Sequence, residues 1–304
     1  MNPKYLLKMN TLKGVGVALV TPFNEDLSVD LDSLSRLVEY NIENGTAFLV
    51  VLGTTAEAAT LSKEEKNTVV NHIISVNNNR LPLVLGIGGN NTLEVKKQIE
   101  ETDLSAFSAI LSVSPYYNKP NQEGLYQHYK MLASTGKNII LYNVPSRTGQ
   151  NMEASTTLRL AQEFPNLIMI KEAAPNILQY FDILRKKPEN FSLVSGDDEY
   201  TLPVTLAGGN GVISVIAQGY PKEFSTMVQL AFEKKVNEAY KIHNQLVEIT
   251  RMIFEEGNPC GIKTILAEKG LIKNYLRLPL VEASENLQKK IRSEMSRMAS
   301  GDKL

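Results

Sequence analysis

Lys171 stands where an apolar run meets polar residues, in the stretch LIMIKEAA. A lysine at the end of a buried strand is costly to keep charged, because burial disfavours the charged form of an amine. A neutral amine is a nucleophile that can condense with a carbonyl compound to form a Schiff base. In the alternative interpretation, the ammonium group reaches the edge of the fold and pairs with Asp197 or Asp198. The strand by itself leaves both interpretations open.

The alternation of side chains along a strand predicts which neighbours share a face with Lys171. Met169 and Leu167 are expected on the same face, in the interior of the fold. Ile170 and Glu172 are expected on the opposite face, against helices. Glu172 is therefore not expected to be the ion-pair partner of Lys171.

Tyr142 ends the apolar run that precedes the Lys171 run, so the two residues are expected on neighbouring strands. Schiff-base chemistry needs a proton-transferring group, and a tyrosine hydrogen-bonded to a threonine and a second tyrosine could relay protons. Thr54 in GTTAEAA and the pair Tyr116 and Tyr117 in SPYYNKP are candidates for these roles. The alternative for Tyr142 is an ordinary tyrosine at the edge of the core. The alternative for Tyr116 and Tyr117 is a pair that contributes to a protein interface.

Two further sites suit the binding of carboxylates. Thr54 and Thr55 follow a glycine at a strand end, where hydroxyl and backbone N–H groups could hold a small carboxylate. Capping of the next helix is the alternative for these threonines. Arg147 in PSRTG carries a guanidinium suited to bidentate binding of a carboxylate, or is a solvated surface arginine.

The elements that must position these residues are eight short apolar runs. They are continuous and aliphatic, which is typical of parallel strands covered on both faces. The runs occupy residues 14–20, 47–53, 81–88, 108–114, 138–144, 166–172, 191–196 and 211–217. The chemically capable residues follow the ends of these runs, and active sites of (β/α)8 barrels lie at the C-terminal ends of the strands.

Stretches with helical spacing separate the runs, so the pattern predicts an α/β protein with a (β/α)8 TIM barrel. The barrel is expected over residues 1–222, followed by a C-terminal helical extension at 223–304 that packs on it. A doubly wound sheet is the alternative. Its dinucleotide fingerprint is missing, because GIGGNN has asparagine in place of the third glycine.

Composition narrows the class of protein. The 304 residues include 32 basic and 33 acidic ones, a formal charge of −1, which gives no electrostatic footprint for nucleic acid. The apolar runs are far shorter than the roughly 20 residues that span a membrane. The start, MNPKYLLKMN, lacks the features of a signal peptide, and a single cysteine excludes an intrachain disulfide. The single cysteine also suits a protein of the reducing cytoplasm. No metal-ligand spacing links the three histidines, so we expect no metal site.

Eight motifs, read in chain order, resemble those of the dihydrodipicolinate synthase family. These pyruvate-dependent enzymes are related to class I aldolases and to N-acetylneuraminate lyase. The motifs are GVGVALVTPF, GTTAEAATLS, SPYYNKP, YNVPSRTG, IKEAA, SGDD, GVISV and the NP…K of the C-terminal helices. They span nearly the whole chain and are specific as an ordered set. Ala56 and Ala58 depart from the family's usual GTTGES, which leaves both threonines in place.

The resemblance implies a catalytic group built around a covalent intermediate. Lys171 would form the Schiff base with pyruvate, and no other cofactor is implied. Tyr142 would transfer protons, linked to Thr54 and to Tyr117. The side chain of Tyr117 would reach across a tight dimer interface into the neighbouring subunit's site. A homodimer or a homotetramer, arranged as a dimer of dimers, is therefore expected.

The resemblance also implies the substrates. Thr55 would bind the carboxylate of pyruvate and Arg147 that of L-aspartate 4-semialdehyde, while Gly196 and Ile213 would line the pocket. The product would be 4-hydroxy-tetrahydrodipicolinate, on the route to diaminopimelate and lysine. An N-acetylneuraminate lyase or a 2-keto-3-deoxy sugar acid aldolase is the nearest alternative, which Thr55 and Arg147 disfavour. A non-catalytic barrel that only binds a ligand would be expected to lack the lysine or the proton relay.

The remaining candidates concern inhibition by lysine. Lysine-inhibited relatives often carry a histidine or tryptophan in the segment after GTTGES, and here Lys63 and Lys66 occupy the candidate positions. A cation there would repel the ammonium groups of lysine. Asn90, Glu94 and Tyr116 match other positions of that regulatory site. We expect weak or absent inhibition by lysine.

Overall fold

Eight parallel strands form a closed barrel in the computed structural model, which describes residues 12–300. The strands are β1 (Gly14–Ala18), β2 (Phe48–Val51), β3 (Leu83–Gly86), β4 (Ala109–Val113), β5 (Ile139–Asn143), β6 (Leu167–Glu172), β7 (Ser192–Ser195) and β8 (Gly211–Ser214). Each strand pairs with its neighbours in chain order, and β8 pairs with β1. Every strand lies within one of the predicted apolar runs, so the prediction of a TIM barrel is confirmed.

Helices follow the strands and surround the barrel. The helices are α1 (Leu31–Glu43), α2 (Lys63–Asn77), α3 (Thr92–Glu101), α4 (Gln122–Ala133), α5 (Pro145–Thr148), α6 (Ala154–Glu163), α7 (Ile177–Lys186), α8 (Thr201–Leu206), α9 (Pro221–Phe232), α10 (Val236–Met252), α11 (Cys260–Glu268) and α12 (Glu285–Ser300). Side-chain caps start several of them: Ser62 and Glu65, for example, form a reciprocal capping box at α2. Over residues 12–300, no helix is both long enough and apolar enough to cross a membrane.

The predicted C-terminal extension, residues 223–304, contains most of α9 and the last three helices, α10 to α12. Helix α9 packs on β1 and so completes the barrel, and it also packs on α10. Helix α12 packs against α10 and α11. The predicted boundary at 222/223 lies in the first turn of α9, and the division into two units stays a prediction. Residues 1–11, to which the signal-peptide prediction refers, and residues 301–304 lie outside the described range.

Apolar side chains pack in two layers, one inside the barrel and one between the strands and the helices. Inside the barrel, Phe48 is fully buried and fills space next to Gly16. A Cβ atom at Gly16 would overlap the Phe48 ring, so this glycine makes room for the aromatic side chain. Tyr142, Met169 and Ile213 belong to the same inner layer. The inner layer therefore forms the floor beneath the strand ends where the polar residues lie.

The prediction for Leu167 is wrong, because β6 begins with a β-bulge. The pairing of β5 with β6 matches Ile139 with Leu167 but Ile140 with Met169, so Ile168 is an extra residue on β6. As a result Leu167 lies in the outer layer, whereas Ile168 and Met169 both lie in the inner layer. The predicted alternation is confirmed only for the residues after the bulge.

Candidate active site

Lys171 and Tyr142 meet inside the barrel at the C-terminal ends of β5 and β6. The two residues are direct partners in the pairing of these strands, which aims both side chains at the interior. The Nζ atom of Lys171 lies 4.4 Å from the centroid of the Tyr142 ring. Both residues are buried, with 5% and 6% of their surface exposed. An amine and a phenol are therefore held side by side at the base of the site.

No carboxylate within residues 12–300 forms an ion pair with Lys171, which contradicts the alternative of a simple structural salt bridge. Asp197 instead accepts backbone N–H groups in the loop before α8. Asp198 accepts backbone N–H groups just after β8, and burial raises its pKa to about 6. Both aspartates thus shape the loops around the site without neutralising the lysine.

Glu172 faces the helices, as the alternation predicted. Its carboxylate accepts hydrogen bonds from the side chains of Asn143 and Gln179 and from the backbone N–H of Ala174, each at 2.8 Å. Burial raises the pKa of Glu172 to about 7, against the effect of these donors. The residue next to Lys171 therefore ties β6 to α7 and takes no part in the interior site.

Gly196 packs directly against the side chain of Lys171. A Cβ atom at this position would lie 3.0 Å from both Cγ and Cε of the lysine and 2.8 Å from the Cβ of Ala173. A larger residue at position 196 would displace the amine. Ile213, on β8, is fully buried in the inner layer. Both predicted lining positions therefore belong to the barrel end that holds Lys171.

A cavity of about 470 Å³ opens above Tyr142. Its wall includes the predicted site residues Thr54 and Arg147 and, farther along, Lys66 and Tyr116. Volumes of this size are typical of sites for small molecules. Across the described part of the chain, no group of three or more His, Cys, Asp or Glu side chains is placed to hold a metal ion.

Thr54 and Thr55 lie in a single 3-10 turn, Thr54–Ala56, directly after β2. They do not cap the next helix, because Ser62 caps α2. Thr54 is exposed toward the cavity, whereas Thr55 is buried and its Oγ1 accepts a hydrogen bond of 3.0 Å from Asn258 Nδ2. The helix-capping alternative is therefore wrong.

Tyr117 points away from the cavity of its own chain. Its side chain is 90% exposed, and its backbone has a φ of 71°, which is unusual for a residue other than glycine. Tyr116, rather than Tyr117, lines the cavity. Within residues 12–300 of this one chain, the Tyr142 hydroxyl forms no hydrogen bond with Thr54 or Tyr117. The proton relay stays a prediction.

The candidates for a regulatory site are only partly brought together. Lys66 is half-buried and shares the cavity wall with Tyr116, whereas Lys63 is exposed at the start of α2. Asn90 Nδ2 donates a hydrogen bond to the backbone oxygen of Tyr116 and so supports the tyrosine loop. Glu94 is exposed on α3. Of the two lysines, Lys66 is the one placed to act on a ligand in this cavity.

Sequence reasoning assigned no role to three polar residues that support the site. Asn258 joins the cavity wall from the extension. Glu57, with a left-handed φ of 53°, lies 2.5 Å from Lys263 Nζ through its Oε1, and both side chains are fully buried. Burial lowers the pKa of Lys263 to about 8, although the neighbouring carboxylate opposes that shift. The available signal was a charged residue within two otherwise uncharged stretches, GTTAEAA and NPCGIK.

Comparison with known proteins agrees with this arrangement. The model of the dihydrodipicolinate synthetase family matches residues 11–298. The 4-hydroxy-tetrahydrodipicolinate synthase of Flavobacterium psychrophilum is 56% identical over 284 residues, or 93% of this chain and 97% of the relative. The synthase of Parabacteroides distasonis is 50% identical over 289 residues, or 95% of this chain and 97% of the relative.

A solved structure shows the same likeness in three dimensions. It is the chloride-inhibited dihydrodipicolinate synthase from Acinetobacter baumannii complexed with pyruvate. The match has a TM-score of 0.91 at 39% identity, and it covers 95% of this chain and 99% of that one. The chain described here belongs to the dihydrodipicolinate synthetase family.

Proposed function

We propose that this protein condenses pyruvate with L-aspartate 4-semialdehyde to form 4-hydroxy-tetrahydrodipicolinate, through a Schiff base on Lys171. The observation that carries the proposal is a buried lysine without a carboxylate partner, held against Tyr142 beneath a cavity. The names of the relatives and the pyruvate complex of the Acinetobacter enzyme support the choice of substrates. The proposed place in amino-acid biosynthesis supports the expected cytoplasmic location.

In the proposed reaction, the Lys171 amine attacks the ketone carbon of pyruvate. The carbonyl oxygen leaves as water, with Tyr142 supplying and accepting protons, and the Schiff base forms. Loss of a proton from the methyl carbon gives an enamine, and this carbon bonds to the aldehyde carbon of the semialdehyde. The amino group of the semialdehyde then displaces the Lys171 amine, which closes the ring and regenerates the enzyme. No further cofactor is needed to balance these steps.

Two groups are proposed to bind the carboxylates. Thr55 is proposed to bind the carboxylate of pyruvate. Arg147, which lies in the cavity wall, is proposed to bind the carboxylate of the semialdehyde. A sugar acid aldolase would share Lys171 and Tyr142. The two activities are separated by assaying product formation from pyruvate with the semialdehyde and, in parallel, with sugar aldehydes.

Borohydride trapping with pyruvate tests the proposed function. Reduction should add one pyruvate-derived group to the intact protein, and peptide analysis should place it on Lys171. The variant Lys171→Ala should gain no such mass. Lys263 is an internal control, because it is also buried but is paired with Glu57 and is not itself part of the cavity wall. A folded wild-type protein saturated with pyruvate that traps no adduct would overturn the proposal.

We further propose that lysine inhibits this enzyme weakly or not at all. Lys66 projects a cationic side chain into the cavity wall beside Tyr116, where an entering lysine would meet a like charge. Initial rates should therefore be unchanged in millimolar lysine. The variant Lys66→Ala is the matched comparison, and inhibition of the wild type by micromolar lysine would contradict the proposal.

A further inference from the structure

Asn258 brings the C-terminal extension into the wall of the active-site cavity. It lies in the loop between α10 and α11 and is 8% exposed. The cavity wall on its side also includes Thr54, Tyr142 and Arg147. A polar side chain from outside the barrel is therefore buried among the residues proposed to carry out the reaction.

The side-chain amide of Asn258 determines what the Thr55 hydroxyl can do. Nδ2 donates a hydrogen bond to Thr55 Oγ1 over 3.0 Å. A hydroxyl has one hydrogen to donate, and an oxygen that accepts from an amide keeps that hydrogen for another partner. No acceptor within residues 12–300 takes it. The Thr55 hydroxyl is thus left as a donor, which is what an anionic substrate requires.

The backbone of the same residue contacts the second proposed carboxylate-binding group. The carbonyl oxygen of Asn258 accepts a hydrogen bond of 3.3 Å from Nη2 of Arg147. A guanidinium has five N–H donors, so one such bond orients the group and leaves the others for a carboxylate. Asn258 therefore touches both anion-binding residues, one through its side chain and one through its backbone.

The oxygen of the Asn258 amide adds no hydrogen bond to the fold within residues 12–300. This Oδ1 atom is buried and has no hydrogen-bond partner among the described residues. A buried polar atom without a partner destabilises a folded protein. The hydrogen bond to Thr55 is the one that this side chain donates, so a role in orienting Thr55 explains why an asparagine is held there.

We propose that Asn258 is a positioning residue of the active site. Its amide directs the Thr55 hydroxyl toward the carboxylate of pyruvate, and its backbone carbonyl orients Arg147 toward the carboxylate of the semialdehyde. This inference rests on the proposed function. Because a side-chain substitution leaves the backbone carbonyl in place, the two effects can be separated by experiment.

The test is borohydride trapping at graded pyruvate concentrations, with no semialdehyde present. For Asn258→Ala, the half-saturating pyruvate concentration should rise about tenfold, as expected for loss of one hydrogen bond that supports binding of an anion. The KM for the semialdehyde should stay within about twofold of wild type, and the melting temperature should not fall. A purely structural role would lower the melting temperature and leave pyruvate binding unchanged.

A double-mutant cycle with Thr55→Val identifies the route of the effect. If Asn258 acts through Thr55, the double variant binds pyruvate no more weakly than Thr55→Val alone. Effects that multiply, or an unchanged half-saturation in Asn258→Ala, overturn the inference. If Asn258→Ala does not fold, Asn258→Leu provides the same test at nearly equal side-chain size and without added charge, with the same outcomes. Failure of the wild type to trap pyruvate would instead overturn the proposed function.

Discussion

At the scale of single residues, the candidate site is built around the buried amine of Lys171, which is closely packed by its neighbours. Gly196 leaves space for the lysine chain, and the strand pairing places Tyr142 beside it. This placement supports the proposed role of Tyr142 in moving protons at the atoms bound to Lys171. In that proposal the ring and the hydroxyl of Tyr142 have separable roles, since the ring packs against the amine and the hydroxyl would move protons.

Removing only the hydroxyl tests that division. Tyr142→Phe should lower kcat by roughly 10²–10⁴-fold, the usual contribution of a general acid–base group, while the protein stays folded. Tyr129→Phe is the matched control. That tyrosine is fully buried, and its hydroxyl donates to the backbone oxygen of Ser112 outside the cavity wall. Tyr129→Phe should lower the free energy of unfolding by about 1 kcal/mol and leave kcat nearly unchanged. Steady-state kinetics measures kcat, and urea unfolding measures the stability of both variants. A kcat of Tyr142→Phe equal to that of Tyr129→Phe would exclude Tyr142 from proton transfer.

At the scale of elements, an ion pair and a hydrogen bond join the turn after β2 to the C-terminal extension. Glu57 follows the Thr54–Ala56 turn directly and pairs with Lys263 on α11. Lys263 Nζ also donates to the backbone oxygen of Tyr275, and the Arg277 backbone N–H donates to Glu57. The extension thereby holds the loop that carries both candidate threonines.

Breaking this buried ion pair on one side should be costly. Lys263→Met leaves a buried carboxylate without its partner and should lower the free energy of unfolding by about 3–5 kcal/mol. Adding Glu57→Gln should recover most of that loss, because no uncompensated charge remains. Lys290→Met is the control: its pair with Glu255 is about half exposed, so its loss should cost at most about 1 kcal/mol. Urea unfolding measures all four proteins, and equal losses for the two lysine variants would contradict this account.

The Glu172 carboxyl predicts a pH dependence of stability. Its pKa of about 7 lies above the ordinary value, because burial favours the protonated form in the folded state. Its contribution to stability is therefore complete below the unfolded pKa and is lost as the pH rises through about 7. The unfolding free energy of wild type minus that of Glu172→Gln should fall between about pH 5 and pH 8, by about 1–3 kcal/mol in all.

Glu39→Gln is the comparison for this pH series. Arg80 lowers the pKa of that exposed carboxyl by hydrogen bonding, so any pH effect has the opposite sign and appears as the pH falls. Denaturant unfolding at several pH values tests both variants. If the unfolding free energy of wild type minus that of Glu172→Gln instead grew with rising pH, the three N–H donors would outweigh burial in setting the pKa of Glu172.

At the scale of the whole molecule, Tyr117 is highly exposed and is not part of the cavity wall of its own chain. We propose that a second chain covers the cavity and receives this side chain, in a homodimer or a dimer of dimers. The backbone φ of Tyr117 is 71°, and its side chain is 90% exposed and lies outside the lining of its own cavity. A hydroxyl supplied from the partner would then reach the relay that Thr54 and Tyr142 begin.

Complementation between two inactive variants tests sharing of the site. Lys171→Ala and Tyr117→Phe should each be nearly inactive alone. In a mixed dimer, one site has an intact lysine and receives an intact tyrosine, so free exchange should restore about a quarter of wild-type activity. Mixing Lys171→Ala with Tyr142→Phe is the control, because both residues belong to the site of one chain and no intact site can form. Absence of recovery in chains shown to exchange would contradict a shared site.

Local pattern was sufficient for the architecture and for much of the candidate site. Apolar runs with polar ends predicted all eight strands within one or a few residues, because strands covered on both faces need continuous apolar sequence. Lys171 and Tyr142 could be placed together, since both follow runs that are adjacent in a parallel barrel. The barrel rule that active sites lie at strand ends then selected Thr54 and Arg147.

Tertiary structure decided the β-bulge and the contacts between distant residues, which the periodicity of apolar residues in the sequence does not predict. Simple alternation misplaced Leu167, because the extra residue of the bulge is defined only by pairing with β5. The bond between Asn258 and Thr55 joins positions 203 residues apart, and the Glu57–Lys263 pair likewise joins loop and extension. Such contacts depend on how the extension docks on the barrel. The amino-acid sequence therefore determined the barrel, the lysine at the end of its sixth strand and the family, whereas packing between distant segments decided which residues contact the neighbours of that lysine.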